Sequence, residues 1–176
     1  INSDYGLSNN HINDIFQDSR GYLWFATDDG LNRFDGYQHL VFRPDIYDSL
    51  SLISGMIYSL TEDFEGNIWA STDKGISKFQ RNADRFINIS FFPRLIGVDR
   101  NRTLDLLFVN DTTLYCLLNN SLIKFFPRSS KFIEIPLDKE NKMIYKDLDG
   151  ELFMDRKNGN LLIGTNHGLY LYRPGT

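Results

Sequence analysis

The residues best suited to contacting a ligand are polar pairs that occupy the same place in four related stretches of the chain. The pairs are Asp28-Asp29, Asp73-Lys74, Asn119-Asn120 and Asn166-His167. The pairs differ from one another although their surroundings are similar, so they could give a repeated framework one asymmetric binding surface. We therefore predict ligand contacts at Asp29, Lys74, Asn166 and His167. The alternative, that these are ordinary solvated turn residues, stays open.

The carboxylates of the chain do not suggest acid–base catalysis. Asp18 and Asp63 occupy equivalent positions of the repeat, and so do Asp28 and Asp73. Carboxylates that recur in this way are explained by hydrogen bonds within turns. A catalytic acid or base is expected to be singular, whereas these residues are periodic.

Histidine and cysteine give no stronger signal. The three histidines lack the paired spacing that a zinc site needs. Cys116, the single cysteine, stands in an apolar run and is predicted to be a buried, inert thiol. No glycine-rich phosphate loop and no nucleophile elbow is present. We expect no metal, no cofactor and no catalytic activity in this segment.

The element that must position the polar pairs is a repeat of about 45 residues. Residues 12–34 align with residues 57–79 without a gap. The shared residues include Asp18/Asp63, Gly21/Gly66, Trp24/Trp69, Thr27/Thr72, Gly30/Gly75 and Phe34/Phe79. Two weaker copies follow, in which Tyr115 and Leu162 replace the tryptophans and Ser121 and Gly168 replace the second glycine. This period is that of one blade of a β-propeller.

Each repeat is predicted to be a four-stranded antiparallel sheet. In the first copy, turn sequences at 18–21, 27–30 and 35–36 separate short apolar runs, and no 3.6-residue periodicity is present. We predict an all-β protein of about four propeller blades, at approximately 6–48, 49–92, 93–138 and 139–176. Trp24 and Trp69 are expected to pack between blades, and the recurring glycine and aspartate residues to form turns.

The two ends of the chain suggest a partial propeller. The fourth copy stops at Thr176, before its outer strand, and the chain begins at Ile1 without a signal peptide, as expected of a piece of a longer protein. Closure of a four-bladed ring, an open edge, or pairing with a second copy all stay open.

Composition narrows the class of partner. The net charge is −4 and no basic run is present, which disfavours nucleic acid as a partner. No apolar run reaches the 18 or so residues of a membrane span. The hydrophobic fraction of 41% is ample for a folded core.

The motifs Gly6-Leu-Ser-Asn-Asn10, Asp18-x-x-Gly21-x-Leu-Trp24 and Thr27-x-x-Gly30-Leu-x-Arg-Phe34 resemble the two-component regulator propeller repeat. The resemblance is strong over residues 6–92 and weak over 93–176. It implies the N-terminal periplasmic sensor region of a Bacteroides-type hybrid histidine kinase, anchored in the inner membrane and homodimeric in the parent protein. It also implies an oligosaccharide ligand and control of polysaccharide-utilisation genes. A protein-interaction scaffold, or a propeller lyase or glycosidase, stays as an alternative.

Overall fold

The described residues of the computed structural model are 6–91, 103–118, 121–136, 150–165 and 168–174, and their regular structure is entirely β. The first sheet contains β1 (Ile12–Gln17), β2 (Leu23–Thr27), β3 (Gly30–Phe34) and β4 (His39–Phe42). The second contains β5 (Ile57–Glu62), β6 (Ile68–Thr72), β7 (Gly75–Gln80) and β8 (Arg85–Ile89). The third contains β9 (Thr103–Asn110), β10 (Thr113–Leu118), β11 (Ser121–Phe126) and β12 (Lys131–Pro136). The fourth contains β13 (Gly150–Asp155), β14 (Asn160–Thr165) and β15 (Gly168–Tyr172).

Within each sheet, strands that follow one another in sequence are neighbours, which is the meander of a propeller blade. The prediction of an all-β protein made of propeller blades is confirmed. We call these sheets the first to fourth blades. No helix that could cross a membrane is found in the described part of the chain.

The chain separates into two compact units, residues 1–103 and 104–176, with the boundary at the first residue of β9. In the first unit, the first two blades share a core that includes Trp24, Leu31, Leu60 and Phe79. The Trp24 ring lies 6.0 Å from the ring of Phe42 and 5.6 Å from that of Phe79, which belongs to the second blade. The indole therefore fills the space between the two blades of this unit.

In the second unit, the third and fourth blades share a separate core. It is built around Tyr115, Leu117, Leu122, Leu161 and Ile163. The second strands of the first three blades, β2, β6 and β10, are almost fully buried along their length. Burial on both faces explains why these strands are continuous apolar runs rather than alternating ones.

A recurring carboxylate joins neighbouring blades inside each unit. Asp14 of the first blade accepts a 2.8 Å hydrogen bond from the main-chain N–H of Leu60 in the second. Asp105 of the third blade accepts a 2.7 Å bond from the N–H of Leu152 in the fourth. Leu60 follows an irregularity of the β5–β6 ladder, so the carboxylate supplies an acceptor where strand pairing is interrupted.

A buried ion cluster reinforces the junction in the first unit. Arg81 Nη2 lies 2.7 Å from Asp18 Oδ2 and 3.1 Å from Glu62 Oε1, and its guanidinium also donates to the carbonyl of Gly66. Trp24 Nε1 donates to the same Asp18 oxygen at 2.6 Å. Burial raises the pKa of Asp18, but the bonds from Trp24 and Arg81 outweigh it and hold that pKa below its usual value. Asp18 is therefore ionised in the folded protein at neutral pH.

Candidate functional site

In three of the four blades, a recurring threonine shapes the turn between the second and third strands, whereas the third blade has Leu118 at that position. Thr27 Oγ1 donates to the carbonyl of Gly30 and accepts from the N–H of Asp29. Thr72 makes the same two bonds in the second blade, and Thr165 donates to Gly168 in the fourth. The threonine thus satisfies the turn backbone, which leaves the side chains of the polar pair free for other contacts.

This arrangement corrects the interpretation of Asp28 as a turn-forming residue. In the antiparallel first blade, the β2–β3 turn, the start of β1 and the end of β4 lie at one end, which we call the upper end. There Asp28 Oδ1 accepts a 2.9 Å bond from Asn13 Nδ2, and Asp28 Oδ2 lies 2.9 Å from His11 Nδ1. We call His11, Asn13 and Asp28 the rim cluster.

The rim cluster is accessible and negatively charged. The side chain of His11 is 69% exposed and that of Asp28 37% exposed. Hydrogen bonding from Asn13, with a further contribution from His11, lowers the pKa of Asp28 below its usual value. Asn13 Nδ2 also donates to the carbonyl of Ile57 at 2.8 Å, which fixes the cluster against the second blade. The result is a preorganised set of acceptors and donors at the blade surface.

The predicted ligand residues of the first two blades lie beside this cluster or at the equivalent turn. Asp29 is exposed and forms a 3.1 Å ion pair with Arg43, which follows β4. Lys74 is exposed in the β6–β7 turn, and its carbonyl accepts a 3.2 Å bond from Ser90. Its ammonium makes no ion pair with any other described residue. Asn166 and His167 lie outside the described residues, so their predicted roles stay predictions.

The second blade places different residues at the positions of the rim cluster. Met56, Tyr58 and Asp73 stand 45 residues after His11, Asn13 and Asp28. The Tyr58 hydroxyl donates to the Met56 sulfur at 3.1 Å. Among the described residues, Asp73 Oδ1 is buried without a hydrogen-bond partner. The first blade therefore presents the more polar surface. A residue-by-residue comparison of the two copies of the repeat would have revealed this difference from the sequence.

A hydrogen-bonded loop after β4 carries an exposed aromatic residue. After β4, the Ser51 hydroxyl donates to the carbonyls of Asp45 and Asp48 and accepts from the N–H of Asp45. The loop tip holds Ile46 and Tyr47, which are 89% and 92% exposed. An exposed Tyr ring on an ordered loop is a stacking surface for a flat apolar face, such as one face of a sugar ring.

Other reactive groups are far less available. Cys116 is fully buried, and burial, with a contribution from Asp105, raises the pKa of its thiol well above the usual range. The described residues contain no group of three or more His, Cys, Asp or Glu side chains that could hold a metal ion. The upper end of the first blade is therefore the strongest candidate site.

Comparison of the sequence with known protein families identifies similar repeats. Residues 6–29 and 51–74 match the model of the family described as "Two component regulator propeller". These two stretches are similar to the repeat of that family. Each matched stretch runs from the segment before a blade to the turn that carries the polar pair, so the predicted resemblance is confirmed.

Three similar proteins are longer than this chain. A 47-residue stretch is 47% identical to histidine kinase P4 of Formosa agariphila, and covers 27% of this chain and 3% of that protein. An extracellular domain from B. thetaiotaomicron, described as part of a hybrid two component system, is 19% identical in sequence and superposes with a TM-score of 0.74. The match covers 95% of this chain and 21% of the chain of that domain. PorZ, a surface component of the type-IX secretion system of Porphyromonas gingivalis, is 20% identical in sequence and superposes with a TM-score of 0.68. The match covers 96% of this chain and 27% of PorZ.

The two solved structures show that the propeller fold is shared. The chain spans about a quarter or less of each of these three proteins. The activities of the longer molecules therefore enter only as proposals.

Proposed function

We propose that this chain is part of the extracytoplasmic ligand-sensing region of a hybrid two-component histidine kinase. The observation that carries the proposal is the pair of two-component regulator propeller repeats at residues 6–29 and 51–74. The fold shared with an extracellular domain described as part of a hybrid two component system supports it. In this proposal the segment is periplasmic, and the parent protein is a homodimer anchored in the inner membrane.

The proposed ligand is an oligosaccharide released by carbohydrate breakdown. The rim cluster offers a carboxylate, an amide and an imidazole within hydrogen-bonding distance of one another, and the Asp29–Arg43 pair lies beside it. Such groups recognise hydroxyls, which both donate and accept hydrogen bonds. Tyr47 adds an exposed ring for stacking on the loop that follows β4. This combination fits a sugar better than it fits an apolar ligand or a nucleic acid.

Sensing requires that the oligosaccharide binds one arrangement of the two sensor chains more tightly than another. In the proposed mechanism, the favoured arrangement biases the kinase, which then controls polysaccharide-utilisation genes. We propose no catalytic step for the rim cluster. The lowered pKa keeps the carboxyl group of Asp28 ionised at neutral pH, so it is unsuited to act as a general acid.

The test is calorimetric titration of the intact sensor region with an oligosaccharide library. We expect at least one glycan to bind, and Asp28→Asn to weaken that binding by about tenfold or more, since a hydrogen bond to a charged group is worth roughly 1.5–3 kcal/mol. Asp111→Asn is the matched control, because Asp111 is also exposed and paired with a cation, Arg128. No glycan binding by the intact region would contradict the carbohydrate proposal.

A protein-interaction propeller is the second candidate. It is favoured by the fold shared with PorZ and by the exposure of Ile46 at the loop tip. Apolar side chains on an ordered surface loop commonly anchor protein partners. Recovery of a stable protein partner that is lost in Ile46→Ser, together with indifference to sugars, would favour this candidate over carbohydrate sensing.

A further inference from the structure

The second unit contains a pocket that the repeat motif does not predict. It lies at the ends of the third and fourth blades that carry the β9–β10 and β13–β14 turns, and its volume is about 260 Å³. Its lining includes Val109, Thr113, Tyr115, Lys124, Met154 and Leu161. All of these residues belong to one compact unit.

The pocket exists because the third blade departs from the repeat at two of three linked positions. In the second blade, Trp69 Nε1 donates to Asp63 Oδ2 at 2.9 Å, and Lys78 Nζ lies 2.8 Å from the same oxygen. The residues 46 positions later are Tyr115, Val109 and Lys124. A smaller ring replaces the indole and an isopropyl group replaces the carboxylate. Their combined effect is to leave a space beside the retained lysine.

The tyrosine does not close this space. Its ring packs edge-on against Tyr172, with 6.0 Å between the ring centroids. Burial, with the neighbouring Tyr172, raises the pKa of Tyr115 to about 12. The hydroxyl of Tyr115 is therefore protonated at neutral pH, and its hydrogen bond with Tyr172 contributes to the raised pKa.

Lys124 is a cation without a carboxylate partner among the described residues. Lys78, its counterpart, lies between Asp63 and the Trp69 ring. Lys124 Nζ lies 5.6 Å from the centroid of the Phe126 ring, and no carboxylate of the described residues pairs with it. The nearby carboxylate of Asp111 pairs instead with Arg128 at 3.2 Å. A half-buried ammonium beside an apolar space favours an anionic group in that space.

We propose that this pocket binds a small organic carboxylate, with the carboxylate group on Lys124 and an apolar body against Val109, Met154 and Leu161. The volume lies just below the range of roughly 300–1,000 Å³ that is usual for drug-sized ligands, which suits a ligand the size of phenylacetate. Thr113 and Tyr115 supply hydroxyls at the wall of the pocket. This site is distinct from the rim cluster and does not depend on the sensing function proposed above.

The test is titration of the full chain with phenylacetate, followed by calorimetry and by amide chemical shifts. At roughly 10 mM ligand even a complex with a millimolar Kd is well populated. We expect binding, with shifts at Thr113, Tyr115 and Leu161, and at least about tenfold weaker binding of the neutral analogue phenylacetamide. Absence of phenylacetate binding, or equal binding of the amide, would overturn the proposal.

Three variants test whether the pocket is a specific binding site or only a gap in the packing. Lys124→Met retains the alkyl stem and removes the charge, and should weaken phenylacetate binding by about tenfold or more. Lys131→Met, in the exposed part of β12, makes the same change of charge and should leave binding unaltered. Tyr115→Trp restores the indole of the second blade and should abolish binding while the chain stays folded by circular dichroism. Binding that survives Lys124→Met, or that persists in folded Tyr115→Trp, would overturn the proposal.

Discussion

The second and third blades use the same four-stranded frame but differ in how they fill the end that carries the turn between their first and second strands. In the second, the indole of Trp69, the carboxylate of Asp63 and the ammonium of Lys78 contact one another. In the third, Tyr115 and Val109 occupy two of those positions, and a pocket of about 260 Å³ lies beside Lys124. The four-stranded sheet therefore tolerates loss of the shared contacts. The space that the indole and the carboxylate fill in the second blade is open in the third and available to a ligand.

The ends of the first two blades that carry the turn between the second and third strands also differ in their polar contacts. Asp28 bonds to His11 and Asn13, whereas Asp73 has Met56 and Tyr58 at the matching positions. The shared threonine closes both turns. Residues common to the copies build the turns, and residues that differ determine what each surface can contact.

The largest expected effect comes from removing a shared packing residue. Trp24 is fully buried between the first two blades. We expect Trp24→Ala to lower the free energy of unfolding by about 3–5 kcal/mol, because it leaves a large cavity in a close-packed core. Urea denaturation followed by Trp69 fluorescence measures this loss. A loss below about 1 kcal/mol, the usual cost of a point substitution, would show that the indole does not hold the blades together.

A smaller effect should distinguish blades with and without a fourth strand in the described residues. Gly75 and Gly168 both have φ near +133°, but a Cβ at Gly75 would collide with the carbonyl of Ile89 in β8, whereas a Cβ at Gly168 would meet no atom of the described residues within 4 Å. Gly75→Ala should therefore be less stable than Gly168→Ala by about 1–3 kcal/mol. Thermal unfolding of the two variants measures the difference. Equal melting temperatures would contradict the close approach of β8.

The buried carboxylates of the first two blades should make the free energy of unfolding fall at acidic pH. Burial raises the pKa values of Asp18 and Asp63, but hydrogen bonds from Trp24 and Arg81, and from Lys78 and Trp69, hold them below the usual 3.8. Each group therefore adds stability that is fully present well above pH 3.8 and is lost as pH falls through its lower folded-state pKa. We expect Asp18→Asn to reduce that loss by on the order of 1 kcal/mol.

The measurement for this prediction is the free energy of unfolding by urea at a series of pH values from about 6 down to about 2, the range in which carboxylates titrate. The Asp111→Asn variant, in which an exposed carboxylate is removed, is the control and should follow the wild-type curve. An unchanged pH slope in Asp18→Asn would contradict the ionised state of Asp18.

The smallest effect on stability is expected at the rim cluster. His11 and Asp28 form an exposed pair, and such pairs contribute about 0–1 kcal/mol. We expect His11→Ala to change the free energy of unfolding by less than about 0.5 kcal/mol, as is usual for surface substitutions. Chemical denaturation measures this. A loss of several kcal/mol would mean that the cluster is a structural element rather than a binding surface.

The sequence predicted the blades because their pattern is local and repeated. The turn glycines, the buried second strands and the tryptophans all follow from spacing along one copy. The rim cluster was missed because Asp28 matched Asp73 and was therefore interpreted as a turn residue. The contacts that distinguish Asp28 come from His11 and Asn13, some 15 residues away. The pocket was missed because it arises from two substitutions, Tyr115 and Val109, that become neighbours of Lys124 only in the folded blade.

The central claim is that ligand recognition lies where the copies differ, and exchanging the rim residues tests it most directly. The measurement is calorimetric titration, with a glycan selected from a library, of the intact sensor region carrying His11→Met and Asn13→Tyr, which install the residues of the second blade. We predict that the variant stays folded and that glycan binding is weakened by about tenfold or more. Wild-type affinity in this variant would contradict the claim.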